Sequence, residues 1–213
     1  VEEFVDGKEK SSPSVQVEVL PNGSFEILSS HEQLLDSTGS RFLGSIFPAD
    51  FTYRDEIVHQ SKKAAKKLIE NNLFGIFGFD FLTLKNDMGE YETYLIEINM
   101  RKGGTTHPYW TSRFALNAKT CDKTGRLYDG KAYYVYRSND NLLSPSTRNI
   151  STTELMGAAN QLGLMYDKDS KRGVIFHMLS CWEPEGKCGA TIIGKDSKEV
   201  LEIENKLLKI LYK

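Results

Sequence analysis

Asp80, Glu97, Asn99 and Arg101 are the residues of this sequence whose types and spacing suit a definite chemistry. The last three form E-x-N-x-R within EYETYLIEINMRKGGTTHPY, a run of aliphatic and aromatic residues that reads as a β-strand running into a glycine loop. Side chains alternate along a strand, so Glu97, Asn99 and Arg101 share one face and Ile96, Ile98 and Met100 the other. The preceding run, GIFGFDFLTLKND, reads as an antiparallel strand joined to it by a turn at Met88-Gly89, which brings Asp80 beside the polar face. Two carboxylates and a carboxamide oxygen suit a hard cation such as Mg²⁺, and an adjacent Arg suits the phosphate oxygens that such a cation carries. Alone, E-x-N-x-R would read as a solvated strand face; Asp80 and the glycines that follow turn the reading toward a site. In the loop, the backbone amides of Gly103 and Gly104 and the hydroxyls of Thr105 and Thr106 are candidates to cradle an anion, with Lys102 as a second cation beside Arg101. His107 reads as a hydrogen-bonded structural histidine.

The elements that must position these groups follow from the rest of the chain. VEEFVDG is a short strand ending in a turn, and SPSVQVEVLPNGSFEILSS reads as a hairpin with Val15, Val17 and Val19 on one face and Gln16 and Glu18 on the other. Residues 31–50 carry turn residues at Ser37 to Ser40 and a stop at Pro48, and read as an ordered loop whose His31, Glu32 and Gln33 are candidates to line a site. A helix is expected over residues 53–72, with Ile57, Ala64, Leu68 and Ile69 on its buried stripe, lysines on the rest, and His59 structural. A further helix is expected to hold residues 109–116 in its early turns. Residues 118–130 are polar and turn-rich and read as a linker between a first domain, 1–117, and a second unit, 131–213. That unit reads as strand KAYYVYRS, loop SNDNLLSPSTRN, a helix from Ser151–Thr153 to Gly163, strands GVIFHMLS and GATIIG, and a final helix capped by Asp196 and Ser197. His177 reads as a core histidine. The class is α+β: an antiparallel sheet with helices, followed by a small α+β sandwich unit.

Composition bounds the function. The 213 residues are 39% hydrophobic and 26% charged with a net charge of −2, which offers no bulk attraction to nucleic acid. No apolar run approaches the roughly 20 residues of a membrane helix. Three cysteines without C-x-x-C spacing argue for a reducing, cytoplasmic setting and against a zinc or disulfide framework. The sequence opens on Val1 inside a strand-like run, so the chain is expected to be the C-terminal part of something longer.

The order of these elements resembles the C-terminal half of an ATP-grasp domain: EEF, a hairpin, a long helix, a strand ending in an acidic residue, then a strand ending in E-x-N-x-R. The strings SPSVQ, EINMRKGGTTHP, GVIFHML and EGKCGATIIG resemble the pheganomycin-type peptide ligase group, and also the ATP-grasp-like region of an IQ-motif protein of cilia and sperm. Such ligases use ATP to convert a carboxylate into an acyl phosphate, from which an amine displaces phosphate. The resemblance implies that Asp80, Glu97 and Asn99 hold Mg²⁺ between the ATP phosphates, and that Arg101 and Lys102 serve phosphate and acyl-phosphate charge as catalytic residues. It further implies that Gly103, Gly104 and Thr105 contact the nucleotide, and that Glu2, Glu3, Phe4 and Val5 form the hinge that reads adenine. The position before SVQV, often Glu or His in the family, is Ser12 here. The glycine-rich lid and the substrate domain of such enzymes precede the hinge, so the implied partners are the upstream part of the same chain and a small-molecule or peptide carboxylate and amine. The expected function is an ATP-dependent carboxylate–amine ligase, of which this chain supplies the Mg-ATP phosphate half-site. The competing expectation is a non-catalytic ATP-grasp-like module with protein assembly partners in a cilium or axoneme. A plain α+β interaction domain leaves RKGGTTHP unexplained.

Overall fold

The structure is a computed structural model describing residues 5, 7, 9–143 and 150–211. The described chain forms antiparallel strands and five α-helices, which bears out the α+β class. It divides into two compact units, one built from the described residues of Val1–Gln33 and Phe47–Thr106, the other from Leu34–Ile46 and His107–Lys213. The sequence expectation instead set the domain boundary at a linker over residues 118–130.

In the first unit β1 (Lys10–Ser11) and β2 (Pro13–Val19) lie along one side of a long strand. That strand follows the helix α1 (Phe51–Glu70) as β5 (Gly75–Lys85), and β6 (Tyr91–Asn99) pairs with its other side. On its far side β2 pairs with β3 (Phe25–Leu35), through the hairpin read in the sequence. The core behind this sheet joins Val15, Val17, Val19, Phe77, Phe79 and Phe81 to the apolar stripe of α1. In that stripe Ile57, Val58, Ala65 and Leu68 are buried, and Ala64 and Ile69 pack at its margin. The helix starts where the Asp50 carboxylate accepts the Thr52 amide at 2.8 Å, and it ends at Asn71. His59 lies exposed on its outer face rather than in a structural role.

The expected loop over residues 31–50 is mostly strand. β3 continues to Leu35, and β4 (Phe42–Phe47) follows a turn closed by the Asp36 carboxylate, which accepts from the backbone of Thr38, Ser40 and Arg41. The turn signals at Ser37 to Ser40 mark this tight turn, while the polar HEQ stretch is held extended by pairing Ser14 with His31 and Pro13 with Glu32.

Beyond Leu34–Ile46, the second unit takes in α2 (Thr106–Leu116) from His107 onward, then the short strands β7 (Lys119–Thr120) and β8 (Leu127–Tyr128), which lead into β9 (Tyr133–Leu143). The expected loop from Ser138 is strand up to Leu143, because it pairs with β11 (Lys187–Gly194); residues 144–149 lie outside the described residues. β10 (Gly173–His177) pairs with the other side of β11. Helices α3 (Thr152–Gln161) and α5 (Ser197–Leu211) pack on these strands through Leu155, Ala159, Val200 and Leu207, and a short helix, α4 (Trp182–Glu185), buries Trp182 in the same core. Ser151 and Glu154 form a reciprocal capping box at the start of α3. At the start of α5 the Asp196 carboxylate accepts the Glu199 amide at 2.9 Å. Gly44 on β4 is required by contact: a Cβ there would lie 2.1 Å from the Ser138 carbonyl oxygen. No helix among the described residues is long and apolar enough to cross a membrane.

Candidate functional site

Asp80 sits in the middle of β5, directly opposite Glu97 on β6 and Ser14 on β2. A β-bulge beside this pair leaves Ile96 as an extra residue and shifts the register, so that Glu97 rather than Ile96 stands opposite Asp80. The Asp80 carboxylate is held from two sides: Gln33 Nε2 donates to Oδ1 at 3.1 Å and Asn99 Nδ2 donates to Oδ2 at 2.9 Å. Burial first, and then the Glu97 carboxylate beside it, pushes the Asp80 carboxyl up to about 6, against the opposing pull of Arg101. Like charges directly opposite on a sheet are unfavourable, and a cation bound between them would remove that cost. The Asn99 carboxamide donates to Asp80 through its NH₂, and its oxygen takes no part in that bond. The donor set therefore fits Mg²⁺: two carboxylates, one carboxamide oxygen and an arginine nearby.

The residues after β6 are arranged by a buried glutamine. Gln16, interior to β2, donates to the Thr105 carbonyl at 3.0 Å and to Ser29 Oγ at 3.1 Å, and accepts from Thr106 Oγ1 at 2.7 Å. Gly103 N–H donates to Thr106 Oγ1, and Thr106 N–H to the Gly103 carbonyl. Those two amides and the Thr106 hydroxyl are thus committed within the loop and are not open to an anion. Arg101, Lys102 and Gly104 remain exposed, with Arg101 Nη1 on the Lys102 carbonyl at 3.2 Å, while Thr105 is buried. Ile96, Ile98 and Met100 are exposed along the outer strand β6. Of the hinge residues, Val5 is half-buried, and Glu2, Glu3 and Phe4 lie outside the described residues.

Of the three residues proposed from residues 31–33, only Gln33 reaches the site. Glu32 accepts the Asp50 amide at 3.0 Å next to α1, and burial raises its carboxyl. His31 is fully buried beside Phe47, and burial lowers its imidazole to about 3. Alternation placed Gln16 on a polar face; a glutamine among valines in a central strand was the one signal of its internal role. In the second unit the histidines read as structural form a cluster with Asp140: His177 Nε2 lies 2.9 Å, and His107 Nε2 3.5 Å, from Asp140 Oδ1, and the two nitrogens are 3.3 Å apart. These residues lie 37 and 70 positions apart in pairs, so no local spacing announced them.

Comparison with known proteins gives this site a family. Residues 1–105 match the model of the ATP-grasp domain, and residues 154–207 that of the PGM1 C-terminal domain. The chain is 30% identical over 197 residues to L-propargylglycine--L-glutamate ligase of Streptantibioticus cattleyicolor, a match covering 92% of this chain and 39% of that protein. Solved structures with a similar fold include the phosphoribosylaminoimidazole carboxylase ATPase subunit of Aquifex aeolicus, with TM-score 0.57, 15% identity, and coverage of 99% of this chain and 58% of that one. Another is N5-carboxyaminoimidazole synthetase of Staphylococcus aureus, with TM-score 0.57, 15% identity, and coverage of 98% and 52%. The chain spans about two fifths of the curated relative's length and about half that of the solved structures. Residues 1–105 are thus assigned to the ATP-grasp domain and residues 154–207 to the PGM1 C-terminal domain.

Proposed function

We propose that this chain supplies the metal- and phosphate-binding half-site of an ATP-dependent carboxylate–amine ligase that works through an acyl phosphate. The observation that carries the reading is the register pairing of Asp80 with Glu97, with Asn99 bonded to Asp80 and Arg101 close enough to act on its charge. Mg²⁺ held by Asp80, Glu97 and the Asn99 oxygen would neutralise ATP phosphate charge. Gln33 and the Asn99 amide fix the orientation of Asp80, so its carboxylate meets the cation without reorganising. Arg101 and Lys102, exposed at the end of β6, are assigned the charge that the transferring phosphoryl group spreads over its oxygens. Phosphoryl transfer asks the protein for positioning and neutralisation, and these residues supply both. A substrate carboxylate oxygen takes the γ-phosphoryl group with release of ADP; the amine then attacks the acyl carbon and phosphate leaves, forming the amide. The relative's named substrates, L-propargylglycine and L-glutamate, make free amino acids the first acids and amines to test.

The test is ADP release by the full-length protein with pairs of amino acids, beginning with that pair. Wild type is expected to release ADP only when both acid and amine are present, and Glu97→Ala to lose at least a hundredfold of that rate. Equal rates for wild type and Glu97→Ala would sink the proposal. Nucleotide binding without turnover in both would favour a non-catalytic ATP-grasp module.

A further inference from the structure

We infer that His107, Asp140 and His177 form a second, separate metal site, one for a divalent transition metal of the zinc class. Three atoms converge: the two Nε2 nitrogens are 3.3 Å apart and lie 3.5 Å and 2.9 Å from the same oxygen, Asp140 Oδ1. Ligands about 2.0–2.1 Å from a tetrahedral ion stand about 3.3 Å from one another, so a zinc ion fits at their centre with little movement. The rings meet edge to face, with centroids 4.5 Å apart, and their Nε2 atoms at 3.3 Å are closer to each other than the ring centres are.

Three features of the fold build the site. His107 stands in the first turn of α2, a helix anchored by its buried Tyr109 and Ser112. Asp140 lies in a β-bulge of β9: Asn139 pairs with Ala190 and Leu142 with Cys188, so Asp140 and Asn141 together face Gly189. A bulge re-aims a side chain that a regular strand would send elsewhere. His177, the last residue of β10, pairs with Gly189, where a Cβ would lie 2.1 Å from His177 Nε2. The bulge and the glycine thus make the space into which Asp140 and the His177 ring turn. Ser138 Oγ also approaches Asp140 Oδ1, at 3.4 Å.

The donors identify the ion. Two imidazoles and one carboxylate are borderline ligands suited to Zn²⁺ and its neighbours, whereas Mg²⁺ prefers oxygen. The side chains remain 41% (His107), 22% (Asp140) and 20% (His177) exposed, so an ion held there keeps a solvent-facing fourth position. Three protein ligands with one open position is the pattern of metal sites that bind water or a substrate group.

The inference is tested on the full-length protein, stripped with chelator and then titrated with Zn²⁺ against a chromophoric competitor, with Co²⁺ absorption as a second readout. Wild type should bind one zinc at this site and give the intense visible bands of four- or five-coordinate Co²⁺. His177→Ala and the milder His107→Gln should each weaken Zn²⁺ binding at least a hundredfold and abolish the cobalt bands. Asp80→Asn should leave both unchanged, which separates this site from the phosphate half-site. Should His177→Ala fail to fold, the half-exposed His107→Gln decides the matter alone. Absence of zinc binding by wild type, or full binding and unchanged cobalt bands in His107→Gln, overturns the inference.

Discussion

His31 makes the stability of the first unit depend on pH in a way that can be calculated. Its imidazole is fully buried on β3 against Phe47, and burial lowers its pKa from 6.5 to about 3. In the unfolded chain the same ring takes up a proton near pH 6.5, so as pH falls the unfolded state binds the proton first. Stability is therefore complete above about pH 6.5 and is lost progressively down to about pH 3. Between pH 7 and pH 5 the loss from this one group is about 2 kcal/mol, because each pH step below the unfolded pKa costs about 1.4 kcal/mol. For a protein of this size that corresponds to a fall of roughly 4–8 °C in unfolding midpoint. Other groups titrate in the same range: Asp80, raised to about 6, shifts stability in the opposite sense. The comparison is therefore between wild type and His31→Gln, each measured at pH 7 and pH 5. His31→Gln lowers the absolute midpoint, yet its loss on acidification should be smaller than that of wild type by the amount above. Parallel losses in the two proteins would refute the reasoning.

Three further outcomes follow from individual contacts. Gln16→Leu removes the partner of the Thr106 hydroxyl and a donor to the Thr105 carbonyl inside the unit, and should cost roughly 2 kcal/mol by urea denaturation. It should also slow the proposed ligase turnover of the full-length protein several-fold, because the chain after Arg101 loses its anchor; unchanged turnover would detach Gln16 from the site. Glu204→Ala strands Arg137, whose Nε donates to Glu204 Oε1 at 2.8 Å with the glutamate nearly buried, and should cost roughly 3 kcal/mol by thermal or urea unfolding. Asp80→Asn relieves the repulsion with Glu97 and should raise the free energy of unfolding in metal-free buffer by on the order of 1 kcal/mol, after allowance for one lost acceptor. If the proposed site binds as described, Mg²⁺ with ATP should stabilise wild type in calorimetry and the same variant should lose that gain.

Local pattern carried much of the fold. The β5–β6 hairpin and its turn at Met88-Gly89 are written in a period of two and a turn, and both survive folding, whereas the direct pairing of Asp80 with Glu97 also needs the bulge at Ile96, which no local pattern signals. The stripe of α1 and the start of α3 at Ser151–Thr153 were equally legible. Polar strands were not. HEQLL in β3 and NDNLL in β9 lack the composition of strands and are extended only because Pro13, Ser14 and β11 offer partners. Gln16 failed for a related reason: alternation separates two faces of a strand but cannot tell that both are covered. The His107, Asp140 and His177 cluster was illegible because a bulge in β9 and a glycine on β11 create it.

The acyl phosphate is the centre of this account, and transfer of a labelled oxygen reports it most directly. The full-length protein would turn over an acid carrying heavy oxygen in its carboxylate, together with ATP, Mg²⁺ and the amine, and the released phosphate would be analysed by mass spectrometry. The account predicts one labelled oxygen in each phosphate, because the carboxylate oxygen that attacked the γ-phosphorus leaves with it. Amide formation with unlabelled phosphate, or with the label in AMP, would contradict it.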